Sequence, residues 1–179
     1  MPKLIVSTVG ISLLTKQIEA GTDPTSYESQ LLATVNASEE EMQKYHSEVV
    51  TILKKLEGRA EQALEDEAPV KIRDLSAELN GIYGFYTNDL SHGRNDAHIL
   101  VATDTAQGGI TAKLLKKHLI SKGIGNVVTL NGNQLSIANA RFFSVGIANV
   151  LAKFQDIIEG YQHDNYDICF NLAGGFKAL

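Results

Sequence analysis

Four short runs of β-branched and aliphatic residues constrain the fold of this chain more than any other feature of its sequence. The runs are Leu4–Val9, Ile99–Thr103, Val127–Leu130 and Asp167–Leu172. Each run is apolar almost throughout, whereas a strand with one solvated face would alternate apolar and polar residues. The pattern therefore predicts strands that are covered on both faces, as in a parallel sheet between layers of helices.

Helical patterns separate these runs. Ser38 and Glu41 have the spacing of a capping box, and apolar residues follow them at the spacing of one long helix: Met42, Tyr45, Val49, Ile52, Leu53 and Leu56. A second helical pattern begins near Gly109 and ends at Lys122–Gly123, and a third covers Ser136–Gly160. Strands that alternate with helices predict the α/β class, with a Rossmann-like parallel sheet and helices on both faces.

The chain has 179 residues, which is the length of one ordinary domain, so we expect residues 1–179 to form one domain with a helical elaboration at about residues 21–95. The formal net charge of −5 disfavours a protein that coats long nucleic acids or acidic membranes. The single cysteine excludes a disulfide framework, and the scattered histidines predict no metal site. The N-terminus lacks a signal-peptide pattern, so we expect a cytoplasmic protein without a membrane span.

The segments that follow three of the predicted strands are rich in glycine and polar residues. They are Thr8–Ser12, Thr103–Gly109 and Asn171–Lys177. In open parallel sheets, ligands bind outside the carboxyl ends of the strands. Glycines let a ligand approach the backbone closely, while a hydroxyl group and a lysine can hold an anion. These segments are therefore the candidate ligand-binding loops.

A structural interpretation of each segment remains open. Ser12 could cap the helix that follows it, and Asp104 or Thr105 could cap the next one; taken alone, capping is the favoured interpretation of both. Gly174–Gly175 could form a simple turn that leaves Lys177 in solvent. Spacing alone favours this interpretation and a ligand site about equally.

Several common enzyme classes are disfavoured by the absence of their motifs. The sequence contains no Walker A loop, no G-x-G-x-x-G dinucleotide fingerprint and no G-x-S-x-G nucleophile elbow. His118, in the last turn of a predicted helix, is interpreted as a residue that complements the helix dipole. Cys169 lies within a predicted buried strand and is interpreted as an inert core residue.

The three loops, taken together and in this order, resemble a known family. Ser7–Leu14, Thr103–Thr105 with Gly108, and Asn171–Lys177 are similar to the ligand loops of CRISPR-associated Rossmann fold (CARF) domains. The similarity is to the Csm6/Csx1 group of type III CRISPR accessory proteins and to stand-alone ring nucleases. Ser76–Asn80 also resembles a segment that recurs in that group.

The resemblance implies a homodimer that binds a cyclic oligoadenylate, most often the tetra-adenylate, across its two-fold axis. A symmetric ligand would meet the same residues of each subunit, as an isologous interface allows. The resemblance implies these ligand-binding residues: Gly10, Ile11, Ser12, Thr105, Gln107, Asn131, Asn133, Asn171, Gly174, Gly175, Phe176 and Lys177. Asn131 and Asn133 are weaker candidates, for contacts to adenine or ribose.

Some members of the family also cleave the ring, without a metal or another cofactor. A ribose 2′-hydroxyl attacks the neighbouring phosphate in line, and the bond from phosphorus to the 5′-oxygen breaks, which gives a 2′,3′-cyclic phosphate and a free 5′-hydroxyl. The protein must hold that geometry and stabilise the charge on the phosphate and the leaving group. The resemblance implies Lys177 for charge stabilisation and Ser12 for orienting the ribose or bonding a phosphate oxygen. The alternative is a sensor domain that binds the ring without cleaving it and regulates a C-terminal ribonuclease or other effector.

Two departures from the family pattern bear on catalysis. Ala173 replaces a threonine that precedes the paired glycines in the family. The sequence also ends two residues after Lys177, where relatives continue into a helix and further strands. We therefore expect a CARF domain without its C-terminal portion, either a fragment of a larger protein or a chain that lacks part of its sheet. A third hypothesis, independent of the family, is a Rossmann-like enzyme that acts on an ordinary nucleotide such as AMP, NAD or SAM.

Overall fold

The computed structural model describes residues 1–66, 68–132 and 154–174. Its centre is a sheet of four parallel strands, which are β1 (Lys3–Thr8), β2 (Ala97–Thr103), β3 (Asn126–Gly132) and β4 (Asp167–Asn171). The strand order is β3-β2-β1-β4. The four strands and their parallel arrangement confirm the predicted α/β, Rossmann-like class.

The register of the sheet assigns its residues to two faces. Ile5 pairs with His98 and Cys169, while Leu4 pairs with Ala97 and Ile168. Because successive side chains along a strand point to opposite faces, these two sets face different layers of helices. Cys169 is half-buried and packs against the larger core cluster. Its neighbour Phe170 is 55% exposed, so the prediction of a strand covered on both faces is wrong for β4, which is an edge strand of the sheet.

In the described part of the chain, seven helices pack against the face that contains Ile5 or lie in the connections over it. They are α1 (Ser12–Thr15), α2 (Ser26–Ala33), α3 (Glu39–Tyr45), α4 (Ser47–Asp66), α5 (Pro69–Asp74), α6 (Ala77–Phe85) and α7 (Ala106–Ser121). The first six, with a 3-10 helix at Leu90–Gly93, connect β1 to β2, and α7 connects β2 to β3. Residues 154–163 are helical and pack against the second face through Phe154, Ile157 and Ile158. The earlier part of the predicted third helix lies outside the described residues.

The predicted capping box at the start of α3 is present. The Ser38 hydroxyl accepts from the Glu41 N–H at 3.2 Å, and the Glu41 carboxylate accepts from the Ser38 N–H at 2.9 Å. The prediction of one long helix from this point was wrong, because His46 leaves the helical conformation (φ −133°, ψ 45°) and separates α3 from α4. Tyr45, expected on the apolar face of the long helix, is 65% exposed beside this break.

Two buried tyrosine–histidine pairs lie within the core. The Tyr83 hydroxyl and His118 Nε2 form a 2.8 Å hydrogen bond, and burial lowers the pKa of His118 to about 4, with a further contribution from Lys122. His118 is therefore neutral at pH 7, and its interpretation as a charged complement to the helix dipole is wrong.

The second pair extends into a three-residue cluster near the start of β2. Tyr86 donates its hydroxyl proton to Asp96 Oδ2 at 2.9 Å, so His98 Nε2 must donate to the Tyr86 oxygen, also at 2.9 Å. His98 Nδ1 has no hydrogen-bond partner among the described residues, and burial lowers the pKa of His98 to about 4. This cluster lies at the amino edge of the sheet, opposite the candidate ligand-binding loops.

None of the helices in the described part of the chain combines the length and the apolar character that crossing a membrane would require.

Candidate ligand-binding site at the carboxyl ends of the strands

The parallel sheet brings the carboxyl ends of its four strands to one edge. β1 lies between β2 and β4, so the loop that begins at Gly10 is next to the loop that follows Asn171. The ends of β2 and β3 lie side by side in the other half of the edge. Four predicted site residues, Asn133, Gly175, Phe176 and Lys177, lie outside the described residues.

The two hydrogen-bond donors predicted at the end of β1 are both engaged by one carboxylate. The Gly10 N–H donates to Glu78 Oε1 at 2.6 Å, and the Ser12 hydroxyl donates to Glu78 Oε2 at 3.1 Å. Ser12 Oγ also accepts a hydrogen bond from the Ala77 N–H at 3.3 Å. The end of β1 is thus bound to the first turn of α6.

Glu78 is fully buried, although a glutamate in the first turn of a helix is usually solvated. Ser76 caps this helix by accepting from the Leu79 N–H at 3.1 Å, and the cap places the Glu78 side chain toward β1. No lysine, arginine or histidine among the described residues forms an ion pair with Glu78. Its carboxylate is therefore held, within the described part of the chain, by neutral donors.

Gly174, at the end of β4, lies against the same carboxylate. A Cβ atom at this position would overlap the carboxylate atoms of Glu78. The Gly174 carbonyl also accepts a hydrogen bond from the Thr8 hydroxyl, which ties the β4 loop to β1. The close approach that a glycine permits here is the approach of an internal carboxylate.

Asn171 serves as a brace between β4 and α6. It is 5% exposed, and its Nδ2 donates to the Glu78 carbonyl oxygen at 2.9 Å and to Ser7 Oγ at 3.4 Å. The side-chain amide fills the space beside Gly81, where a Cβ atom would overlap it. The side-chain amide of Asn171 is thus committed within the protein.

Thr105, at the end of β2, is the N-cap of α7. Its hydroxyl oxygen accepts from the Gly108 N–H at 3.1 Å and lies 2.9 Å from Thr103 Oγ1. The capping interpretation is therefore correct, and it explains why α7 begins at Ala106 rather than near Gly109. Gly108 faces the Thr103 hydroxyl too closely for any side chain.

Gln107 is removed from the predicted site by its position. It is fully buried, and its Nε2 donates to the Leu31 carbonyl at 2.8 Å and to Thr34 Oγ1 at 3.2 Å. The side chain therefore points to the C-terminal end of α2 and not to the edge of the sheet. We leave Gln107 out of the candidate site.

Ile11 occupies the N-cap position of α1 and is half-buried. No side chain caps α1, which is consistent with the Ser12 hydroxyl being bonded to α6 instead of its own helix. The interpretation of Ser12 as a cap of the following helix is therefore wrong.

A cavity of about 570 Å³ opens beside the ends of β2 and β3. Its apolar wall comes from α3, α4 and α7 and contains Met42, Val50, Leu53 and Ile110. Its polar wall contains Thr103, Asp104, Thr105 and the exposed Asn131. Asn131 is thus the predicted site residue that contributes a side chain from β3 to this cavity.

Charges of both signs line the cavity. Lys113 forms a 3.6 Å ion pair with Glu57, whereas Lys54 has no ion-pair partner among the described residues. Glu39 and Asp104 also contribute to the lining. Within the described part of the chain, no group of three or more histidine, cysteine or acidic side chains is arranged to hold a metal ion.

Glu78 is the site residue that sequence reasoning did not identify. The segment Ser76–Asn80 resembles one in CARF proteins, but periodicity gives no sign that this glutamate is buried. The one local signal is Ser76, a capping residue three positions before Leu79, because it fixes where α6 begins. The contact itself joins residues 68 positions apart in the chain.

A comparison with known protein families matches the part of the chain that contains α6 and β4. The family model for CRISPR-associated protein (Cas_APE2256) matches residues 73–179, a segment that includes Glu78 and Asn171 but not Gly10 or Ser12. No curated protein matches the sequence. Since the family model covers more than half of the 179 residues, this chain belongs to the CRISPR-associated protein family Cas_APE2256.

Proposed function

We propose that this chain is a type III CRISPR accessory protein with a CARF domain, which binds a cyclic oligoadenylate across a homodimer and cleaves it without a metal. Membership of a CRISPR-associated family supports the biological setting. The observation that carries the proposal is that the carboxyl ends of four parallel strands, with polar residues such as Ser12, Thr105 and Asn131, meet at one edge of the sheet in a chain of that family. This edge is where open α/β sheets bind nucleotides.

The cavity beside β2 and β3 has the chemistry that an adenine requires. Its apolar wall, with Val50, Leu53 and Ile110, offers a surface for the face of the base, and Asn131 offers donors and acceptors for the edge. Lys54, which lines the same cavity, is placed to attract the phosphates of a cyclic oligoadenylate. The overall charge of −5 makes such local cations important for an anionic ligand.

In this proposal a symmetric ring lies on a two-fold axis and meets the same residues of each subunit. The proposed ligand-binding residues are Gly10, Ile11, Ser12, Thr105, Asn131, Asn133, Gly174, Gly175, Phe176 and Lys177. Lys177 stabilises the charge that develops on the phosphate, and Ser12 positions the ribose. Ser12 is half-buried and so remains within reach of a ligand.

A second candidate function is a sensor that binds the ring without cleaving it and controls an effector. The observation that favours it is the internal commitment of the Gly10 N–H and the Ser12 hydroxyl proton to Glu78. Donors that are already used within the protein cannot also stabilise a phosphate in a transition state.

Labelled cyclic tetra-adenylate distinguishes these functions. Calorimetric titration with the full chain is expected to show one ring bound per two chains. Incubation in EDTA is then expected to give linear products that end in a 2′,3′-cyclic phosphate. Binding without any turnover over hours would support the sensor, whereas preferential binding of AMP, NAD or SAM would contradict both functions and favour an ordinary nucleotide enzyme.

Lys177→Ala is the variant that tests the proposed catalytic residue. It is expected to weaken ring binding and abolish cleavage while the chain still unfolds cooperatively. Lys122→Ala, at the far end of α7, is the matched control and should retain both properties. Loss of cooperative unfolding in Lys177→Ala would mean that the lysine is structural, contrary to the proposal.

A further inference from the structure

The hydrogen bonds of Ser12 within the protein leave its hydroxyl oxygen able to accept one more hydrogen bond. A serine hydroxyl has one proton to donate and two lone pairs that accept. The proton is donated to Glu78 Oε2, and one lone pair accepts from the Ala77 N–H. What remains is a single acceptor position on a half-buried side chain.

The groups around Ser12 also favour a ligand group that donates a hydrogen bond over one that accepts it. The neighbouring Gly10 N–H is engaged by the other oxygen of Glu78 at 2.6 Å. The Glu78 carboxylate also places a negative charge directly behind Ser12, within 3.1 Å of its oxygen. A phosphate oxygen would therefore find neither a free donor on these two groups nor a favourable field, since like charges repel at this range.

We propose that Glu78 sets the hydrogen-bonding polarity of this loop, so that Ser12 accepts a hydrogen bond from a ribose 2′-hydroxyl of the ligand and does not donate one to a phosphate. The inference rests on the proposed function, and it assigns a part of the ligand to the end of β1. Glu78 is a positioning residue: it is fully buried and acts through Ser12. Ribose recognition at Ser12 makes the site selective for RNA-type rings over their deoxy analogues.

Two features of the fold keep Glu78 in this role. Gly174 leaves the space that the carboxylate fills, because any side chain there would overlap it. Asn171 holds the backbone of Glu78 by donating to its carbonyl oxygen at 2.9 Å. The β4 loop thus fixes the carboxylate against β1, and this arrangement accounts for a buried acidic residue that lacks a cationic partner within the described residues.

The test compares two ligands, cyclic tetra-adenylate and its all-2′-O-methyl analogue, whose 2′-oxygens can accept a hydrogen bond but cannot donate one, by calorimetric titration of the full chain. The unmodified protein is expected to bind the ribo ring about tenfold more tightly, the ratio that one hydrogen bond supplies. Glu78→Gln reverses the polarity at Ser12. The fixed Gly10 N–H selects the amide oxygen of the new side chain, so the amide NH₂ faces Ser12 and frees the serine proton. The freed proton can be donated to the 2′-oxygen of either ring, so the ratio of the two affinities is expected to fall to about twofold or less.

Ser12→Ala is expected to lose the preference to the same extent, because it removes the acceptor. Asp96→Asn is the matched control: it also converts a buried carboxylate to an amide, but at the amino edge of the sheet, and it should keep the tenfold ratio. Circular dichroism checks each fold. If Glu78→Gln does not fold, Glu78→Asp takes its place, since a carboxylate withdrawn by one methylene group should lower the ratio too.

The outcomes separate this inference from the function on which it rests. Equal affinity of the unmodified protein for both rings would overturn the role of Ser12 while leaving ring binding intact. An unchanged tenfold ratio in a folded Glu78 variant would overturn the role of Glu78. Failure to bind either ring would refute the proposed function, and the inference with it.

Discussion

Gly174 provides the space in which the Glu78 carboxylate lies, and the carboxylate in turn holds the end of β1. The paired glycines after β4 predicted a close backbone approach by a ligand. At Gly174 the approaching group is an acidic side chain of the protein itself. The relationship makes the stability of the sheet edge and the chemistry of the candidate site depend on the same contact.

Gly174→Ala is expected to destabilise the protein by about 2 kcal/mol, because the added methyl group displaces the Glu78 side chain from its donors. Urea unfolding measures the change. Gly58→Ala is the control, since nothing lies within 4 Å of a Cβ atom at that position of α4, and it should stabilise the helix by up to about 1 kcal/mol. Equal effects of the two substitutions would show that Glu78 accommodates the methyl group.

Gly81→Ala is expected to destabilise the protein by about 2 kcal/mol, since its Cβ atom would overlap the amide of Asn171. Asn171→Ala removes that amide, so the double variant should be more stable than the sum of the single changes by about 1 kcal/mol. The coupling is measured by urea unfolding of all four proteins. Gly84→Ala, in the same helix but with open space around it, is expected to show no coupling with Asn171→Ala. Additive effects at Gly81 and Asn171 would refute the contact.

Stability is expected to fall as the pH is lowered from about 6.5 to about 4. Burial lowers the pKa values of His98 and His118 to about 4 in the folded state, so between these pH values the unfolded chain binds more protons. At pH 5 the loss relative to pH 7 is about 2 kcal/mol for each histidine, measured by urea unfolding.

His118→Gln should remove about half of this pH dependence. His163→Gln is the control, because the His163 side chain is 91% exposed and should leave the dependence intact. A pH profile that is flat from 7 to 5 in the unmodified protein would contradict the burial of both imidazoles.

Asp23→Asn is expected to lower the melting temperature. The Asp23 side chain has no exposed surface and accepts hydrogen bonds from Arg59, Lys55 and the Glu19 N–H, in that order of effect, which hold the pKa of Asp23 well below its usual range. Its contribution is therefore present above the ordinary carboxyl pKa and is lost as the pH falls below it.

Glu61→Gln is the control for Asp23→Asn, because it breaks an ion pair with Lys117 in which both side chains are partly solvated. Thermal melts at pH 7 and pH 3 test both variants. The difference between Asp23→Asn and the unmodified protein should be larger at pH 7, and a difference that grows in acid would contradict the assignment.

Lys54→Ala is expected to weaken binding of cyclic tetra-adenylate about tenfold without changing the melting temperature, since Lys54 lines the cavity and has no ion-pair partner among the described residues. Calorimetric titration at two salt concentrations measures the effect, which should shrink at high salt. Lys116→Ala, on α7 but absent from the lining of this cavity, should bind the ring normally. Equal affinity of both variants would place the phosphates elsewhere.

The strands, the fold class and two of the helix caps were accessible from local patterns. Continuous apolar runs predicted four strands, the Ser38 capping box predicted the start of α3, and Thr105 was recognised as a possible cap of α7. These features depend on interactions between residues a few positions apart, so short stretches of sequence are enough to predict them.

Local patterns did not predict where the polar side chains point or whether they are buried. Gln107 follows β2 in a candidate loop, yet it points to α2, and His118 is neutral because it is buried against Tyr83. Glu78 resembles a solvated residue of a first helical turn, yet it lies under the ends of β1 and β4. Each outcome depends on contacts between residues that are distant in the chain, and burial is a property of the packed molecule. The amino-acid order therefore establishes which segments form the strands and which residues follow them, while packing determines which of their polar groups remain free at the edge of the sheet.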